Sequence, residues 1–377
     1  MKTSRLLVLL LAALLGTSCG TAKRDDSVIR IGEYGSLTGS EATFGISTHE
    51  GILLAVDEAN RAGGVNGKPV TVITMDNQGK LEECAIAVTK LIQQDRVHAV
   101  LGEVASTRSL QGAPICQRNR VPMLSPASTN PKVTQVGDYI FRACFIDPFQ
   151  GRVMADFAIR DLKAKTAAVF RDQKSDYSIG LSDVFTKRFR ELGGTVVTDV
   201  SYVSGDVDFK SQLTVIREKK PDCVYLPGYY TEVGLVLRQA RELGMRMPFM
   251  GGDGWDSPEL FKIAGKAAEN GYHSNHYTPE SKDPKVVEFV AKYRARWGKT
   301  PDALATLGYD AALLLMDALK RAKSLDGPDI RDALASTKDF PGVTGRISMD
   351  ADRNAEKSAV VLKTSADRAT YLTTVNP

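Results

Sequence analysis

The chain has 377 residues, 43% of them hydrophobic and 25% charged, which excludes a disordered or fibrous chain and exceeds what one ordinary core needs. Two domains are therefore expected. The 49 Lys and Arg against 45 Asp and Glu give a formal charge of +4, and no basic stripe with interleaved aromatics accompanies it, so nucleic acid is not an expected partner.

Lys2 and Arg5 precede an apolar run over 6–15, followed by Gly16, Thr17, Ser18 and Cys19. That run is too short to span a bilayer and fits the core of an export signal over 1–19. The small residues before Cys19 also fit a bacterial lipoprotein signal, which would place a lipid on Cys19, although Gly16 stands where that pattern usually carries Leu. Ordinary cleavage after small residues is the alternative. A polar tether over 20–27 follows. Cys84, Cys116, Cys144 and Cys223 lie scattered with no C-x-x-C and no nearby His, so no metal site is expected. Buried free thiols, or at most one disulfide, are the expectation.

Residues 28–34 (VIRIGEY) read as a short strand ending at Gly35. The glycines at 32, 35 and 39 lack G-x-G-x-x-G spacing, and no acidic ribose partner follows, so no dinucleotide cofactor is expected. Ile46, Leu53, Leu54, Val56 and Ala59 predict a helix over 46–60, stopped by RAGGVNG. A strand over 69–75 and a helix over 81–94 follow. This alternation predicts a doubly wound parallel sheet with right-handed crossovers.

The next stretch, LGEVASTRSLQGAPICQRNRVPMLSPASTNP over 101–131, organises the rest. Buried strands over 97–102 and 121–125 both end in small hydroxyl residues, with a helix between them. Ligands of open α/β sheets bind beyond the carboxyl ends of parallel strands, where helix N-termini present unpaired N–H groups. Ser106, Thr107, Ser128 and Thr129 would stand at two such ends, suited to a small anionic group such as a carboxylate.

After 139–146 (YIFRACFI) the alternation restarts: helix 149–162, strand 166–171, helix 180–192, strand 195–203, helix 208–219 with Asp208 as its N-cap, strand 223–226, helix 232–243 and strand 249–251. The strand ends carry Asp176 and Tyr177, then Gly228, Tyr229 and Tyr230, then Gly252, Asp253, Gly254 and Trp255. Two amphipathic helices over 286–297 and 301–323 follow with no strand between them, the second opened by Thr300 and Pro301. They either form a third bundle or return to cover the first sheet. Short strands over 342–349 and 359–364 close the chain.

The signal, the VIRIGEYGSLTG opening, PMLSPASTNP, FRACFIDPFQG, DFKSQL, LPGYYTE, FMGGDGWDS and LGYDAALLLMDAL resemble, in order, the extracellular solute-binding proteins of branched-chain amino-acid ABC transporters. The resemblance runs from about residue 28 to 363 and implies the type I periplasmic binding fold. Two α/β lobes, 28–145 with 273–345 and 146–272 with 346–377, would be joined by crossovers near 143–147, 271–276 and 345–350 and close on ligand like a hinge. Carried over by position, Ser106 and Thr129 would donate to the α-carboxylate. The Ala127 carbonyl and Thr129 hydroxyl would accept from the α-ammonium, and Asp253 would supply its counter-charge. Tyr177 and Tyr229 would close over the ligand, and Phe44 would wall its side chain. Relatives that bind leucine usually carry Glu in place of Asp253 and Tyr in place of Phe44, which leaves room for another amino acid or for an amide. Tyr230 and Trp255 are expected to pack rather than bind.

The resemblance further implies a monomer, a permease and an ATPase as partners, a site of action on the outer side of the membrane, and no cofactor. A membrane sensor is the alternative partner. The histidines at 49, 98, 273 and 276 lie in no nucleophile or metal spacing and no G-x-S-x-G elbow is present, so an enzyme is not expected.

Overall fold

The computed structural model describes residues 24–377. The expected export signal, Cys19 and residues 20–23 of the tether lie outside the described residues.

The first half of the chain alternates strand and helix: β1 (Ile29–Gly35), α1 (Ala42–Arg61), β2 (Val70–Asp76), α2 (Leu81–Gln93), β3 (Ala99–Leu101), α3 (Ser106–Asn119), β4 (Met123–Ser125), α4 (Lys132–Gln135) and β5 (Ile140–Arg142). All pairings are parallel, in the order β2-β1-β3-β4-β5. The inner strands β3 and β4 are three-residue runs buried on both faces, as a sheet covered by helices requires.

The alternation continues through α5 (Asp147–Arg160), β6 (Thr166–Asp172), α6 (Asp176–Glu191), β7 (Thr195–Tyr202), α7 (Lys210–Lys219), β8 (Cys223–Tyr225), α8 (Tyr230–Glu242), β9 (Phe249–Gly251), α9 (Pro258–Ala264) and β10 (Gly271–Asn275). Next come α10 (Pro284–Trp297), α11 (Ala303–Arg321), α12 (Gly327–Ala335), the hairpin β11 (Phe340–Gly342) and β12 (Gly345–Ile347), and finally β13 (Ala359–Thr364) and β14 (Ala369–Val375). The second sheet runs β14-β13-β10-β9-β8-β6-β7 and is parallel except where β13 meets β10 and β14.

Helices α10 and α11 return to the first sheet. Phe289, Tyr293, Leu314 and Leu315 share one core with Ile31, Ile52 and Leu124. Helices α1 and α11 touch through backbone: a Cβ at Gly51 would overlap the carbonyl of Ala305, and one at Gly308 that of Thr48. Gly51→Ala is therefore expected to cost about 2–3 kcal/mol by overpacking. In a thermal melt this is a fall of roughly 5–10 °C, and an unchanged midpoint would contradict the close approach.

Several ends differ from the sequence reading for local reasons. Helix α11 starts at Ala303, capped by Asp302, whose carboxylate accepts from the Ala305 N–H at 2.8 Å. Thr300 instead accepts from the Arg294 guanidinium. Asp208 accepts from the Lys210 N–H at 3.1 Å but stands one residue before the N-cap of α7, Phe209. The strand β10 occupies the stretch expected as a plain crossover and pairs with β9 and β13. The stretch over 342–349 is not one strand but the second half of a hairpin. Helices α9 and α12 and the edge strand β14 were not expected.

All four cysteines in the described residues are free and buried. Burial pushes the thiols of Cys84, Cys144 and Cys223 up to about 12 and that of Cys116 higher still. Thiols are reactive as thiolates. A thiol reagent is accordingly expected to titrate none of these in a folded chain starting at Gly20 and all four after unfolding. Rapid labelling of the folded chain would contradict this.

Candidate functional site

The carboxyl ends of both sheets face each other, and a small cavity lies between them. It is lined by Phe44, Val104, Ser106, Ala127, Thr129, Tyr177, Tyr229, Asp253, Gly254 and Leu304. Every residue carried over from the resemblance is brought to this one space, while Val104, Gly254 and Leu304 are additions. Tyr230 stays outside, with its ring packed on Phe44, and Trp255 is fully buried with its indole N–H donating to the Leu226 carbonyl.

Each lining residue sits where its element begins or ends. Ser106 opens α3, Tyr177 lies in the first turn of α6, Tyr229 precedes α8, and Phe44 and Leu304 lie in the first turns of α1 and α11. Ala127 and Thr129 belong to the loop after β4. That loop is clamped from behind by Arg142 of β5, a fully buried guanidinium that donates to the carbonyls of Ser128 and Asn130 and to the Thr134 hydroxyl. Ser106 Oγ accepts from the Asn130 N–H at 3.2 Å, which joins the two strand ends. Ser128 is spent on structure, bonded to Ser109 and to the carbonyls of Glu103 and Val104. Thr107 reaches the other lobe, where its hydroxyl accepts from the Asp176 N–H at 2.8 Å.

Asp253 lies in a single 3₁₀ turn after β9 and is 7% exposed. Its Oδ1 accepts from the Gln150 amide and from the Tyr177 hydroxyl, both at 3.0 Å, and its Oδ2 from Nε2 of His276 at 2.9 Å. Gln150 is saturated: its amide also donates to Asp147 at 2.9 Å, and its carbonyl accepts from Ser274 at 2.7 Å. The glycines flanking Asp253 permit this crowding. A Cβ at Gly252 would overlap the Tyr177 hydroxyl, and one at Gly254 would press on the Gly228 carbonyl and the Tyr229 ring. Burial, with Asp253 nearby, pushes the Asp147 carboxyl up to about 7. Burial and the same acid raise Tyr177 far above its ordinary value, so its hydroxyl remains a donor.

One end of the cavity thus presents hydroxyls and helix N-terminal N–H groups, the opposite lobe presents a buried carboxylate, and Phe44, Val104 and Leu304 form an apolar wall. This arrangement suits a small molecule carrying an anion, a cation and an aliphatic part. The lobes meet across it through Thr43 and Ser257 at 2.9 Å, Thr231 and the Ser40 carbonyl at 2.8 Å, and Asn130 and the Asp176 carbonyl at 2.7 Å. Among the described residues, no group of three or more His, Cys, Asp or Glu is placed to hold a metal ion.

Residues 28–369 match the model of a family described as periplasmic binding protein. A Leu/Ile/Val-binding protein homolog of Brucella abortus is 32% identical over 364 residues, 96% of each chain. The chain belongs to the periplasmic solute-binding proteins of branched-chain amino-acid transporters. Among solved structures, a leucine-binding protein of Thermotoga maritima is 42% identical, with a TM-score of 0.89 over 93% of this chain and 99% of that one. The substrate-binding protein of a branched-chain amino-acid transporter of Streptococcus pneumoniae, solved in complex with isoleucine, is 35% identical, with a TM-score of 0.88 over 93% of this chain and 100% of that one. This binding protein therefore has the type I fold, belongs to a family that serves ABC transporters rather than to a class of enzymes, and works outside the cytoplasm. No helix of the described residues is long and apolar enough to cross a membrane.

The sequence reading did not find Gln150, Asp147 and His276 as the surroundings of Asp253. The i, i+3 spacing of Asp147 and Gln150 at the start of α5 was available as a signal. For His276, 23 residues from its partner, none was.

Proposed function

We propose that this binding protein captures a branched-chain or similar aliphatic amino acid between its lobes and delivers it to the permease of an ABC importer. The α-carboxylate meets Ser106 and Thr129, and the α-ammonium meets the Ala127 carbonyl, the Thr129 hydroxyl and Asp253. Phe44, Val104 and Leu304 receive the aliphatic side chain, and Tyr177 and Tyr229 close over it. The observation that carries this reading is the buried carboxylate of Asp253 lining the same small cavity as the two strand-end hydroxyls. A zwitterion stripped of water needs a partner for each charge, and this cavity supplies both. The two lobes, with β10 on the second and Ile347 packed in the first, move about the crossovers, and Cys19 carries a lipid that keeps the protein beside its permease.

A thermal-shift screen of protein refolded to remove carried-over ligand tests the reading. Leucine, isoleucine or valine at a hundred times its dissociation constant should stabilise by about 2.7 kcal/mol. For lobes of this size that is a rise of roughly 5–10 °C. Flat melts with all three, alongside a shift with another solute, would overturn it.

A further inference from the structure

We propose that His276 is a positioning residue for ligand binding: its ring holds the Asp253 carboxylate toward the ammonium site, and its neutral form is the one that lets ligand bind. The inference rests on the amino-acid reading above.

The geometry is specific. Asp253 follows β9 and His276 follows β10, the strand paired beside it. Oδ1 of the acid takes two donors, Gln150 and Tyr177, whereas Oδ2 is held by Nε2 of His276 at 2.9 Å. The imidazole lies flat on Phe145, with centroids 3.6 Å apart and planes 22° from parallel, so its ring is fixed in one orientation. Its other nitrogen, Nδ1, is buried and meets no hydrogen-bond partner among the described residues. A neutral ring carries one N–H, and the carboxylate beside Nε2 assigns the proton there. Phe145 lies in the first crossover and His276 at the start of the second. The ring therefore ties the ammonium-binding acid to the part of the molecule about which the lobes would turn. Asp has one methylene fewer than Glu, and a firmly held short acid keeps its free lone pairs aimed at the cavity.

The charged groups around the ring explain why its neutral form matters. Asp253 faces Nε2. Lys357 approaches from the segment before β13, its ammonium bonded to the Ala143 carbonyl and the Thr344 hydroxyl. Asp147 stands behind Gln150. Burial, the largest influence, and Lys357 both push His276 toward its neutral form, against the pull of Asp253. A protonated ring would neutralise Asp253 and compete with the ligand ammonium. The closed form thus binds this proton less well than an open, hydrated cleft, and acid below the ordinary His range of about 6.5 favours the open form. Asp147 acts in the opposite sense, because its raised carboxyl binds a proton better in the closed form. That contribution is common to wild type and His276 variants and cancels when their pH profiles are compared.

The test is calorimetric titration of isoleucine into refolded wild type, His276→Gln and His276→Phe at pH 7.5 and 5.5. His276→Phe keeps the stacking and loses the donor, and should weaken binding roughly 10- to 100-fold at pH 7.5, the scale for losing a hydrogen bond to a charged group. His276→Gln returns an N–H without a titrating ring, and should recover most of the affinity. From pH 7.5 to 5.5 the wild-type dissociation constant should rise at least about fivefold more than that of His276→Gln. Binding by His276→Phe within twofold of wild type, or matching pH profiles for wild type and His276→Gln, would overturn the proposal. Should His276→Phe fail to fold, the profile of His276→Gln decides. Wild type that binds none of leucine, isoleucine and valine would overturn the amino-acid reading and this inference with it. Wild type that binds while the variants are indistinguishable from it would overturn this inference alone.

Discussion

Asp253→Ala is expected to weaken the binding of leucine, isoleucine or valine by at least a hundredfold at neutral pH. Removing one member of a buried charge pair costs roughly 3–5 kcal/mol, because the remaining charge is left in a dry site without its partner. At 1.4 kcal/mol per decade this is two to three and a half orders of magnitude. The acid is well placed to produce so large an effect: it is 7% exposed, and three protein donors hold it. Its removal also strands the Gln150, Tyr177 and His276 donors, so the melting temperature without ligand should fall as well as the affinity. Calorimetry on wild type and variant separates the two quantities. A loss of less than tenfold would mean that the ammonium, if the ligand has one, is met elsewhere.

Arg142→Met is expected to produce the largest loss of stability among substitutions beside the site. Arg142 is fully buried, and its guanidinium joins the carbonyls of Ser128 and Asn130 and the hydroxyl of Thr134. It has carbonyl partners rather than a direct carboxylate, and burial pushes its basicity down from the ordinary arginine value. Methionine keeps most of the volume and removes every donor. Each buried acceptor left unpaired costs about 1–3 kcal/mol, so a total of roughly 3–6 kcal/mol is expected. For lobes of this size the melting temperature should fall by about 10 °C or more. Because the same guanidinium fixes the loop that carries Ala127 and Thr129, affinity should fall as well. A melt within 2 °C of wild type would contradict the clamp.

Much of this was legible because it is local. The alternation of strand and helix, the hydroxyl-bearing ends of β3 and β4, and the Gly-Asp-Gly turn each lie within a few residues of sequence, and the cavity draws on all of them. The helices read as starting at 46 and 180 in fact begin at Ala42 and Asp176, and these two early starts share a cause. The first turns of α1 (ATFG) and α6 (DYSI) carry few apolar residues with helical spacing, because one turn faces the cavity and the neighbouring lobe rather than a core. Gly45, in the α1 turn, also leaves no room for an apolar side chain, because a Cβ there would overlap the backbone of Ser36. Strand β14 (ATYLTTV) is a half-exposed edge with weak alternation, and only its pairing with β13 defines it. The pairing of His276 with Asp253 is tertiary, set by two adjacent strands, and no periodicity encodes it.

Under the proposed function the cavity recognises a zwitterion, with the ammonium on Asp253. The most direct measurement compares the dissociation constants of leucine and 4-methylpentanoate, which has the same carboxylate and side chain but no ammonium, on the same refolded protein. Leucine should bind at least about a hundredfold more tightly, and the difference should nearly vanish in Asp253→Ala. Equal affinities, or tighter binding of 4-methylpentanoate, would contradict the account and point to a carboxylate-binding protein for which Asp253 is a structural acid.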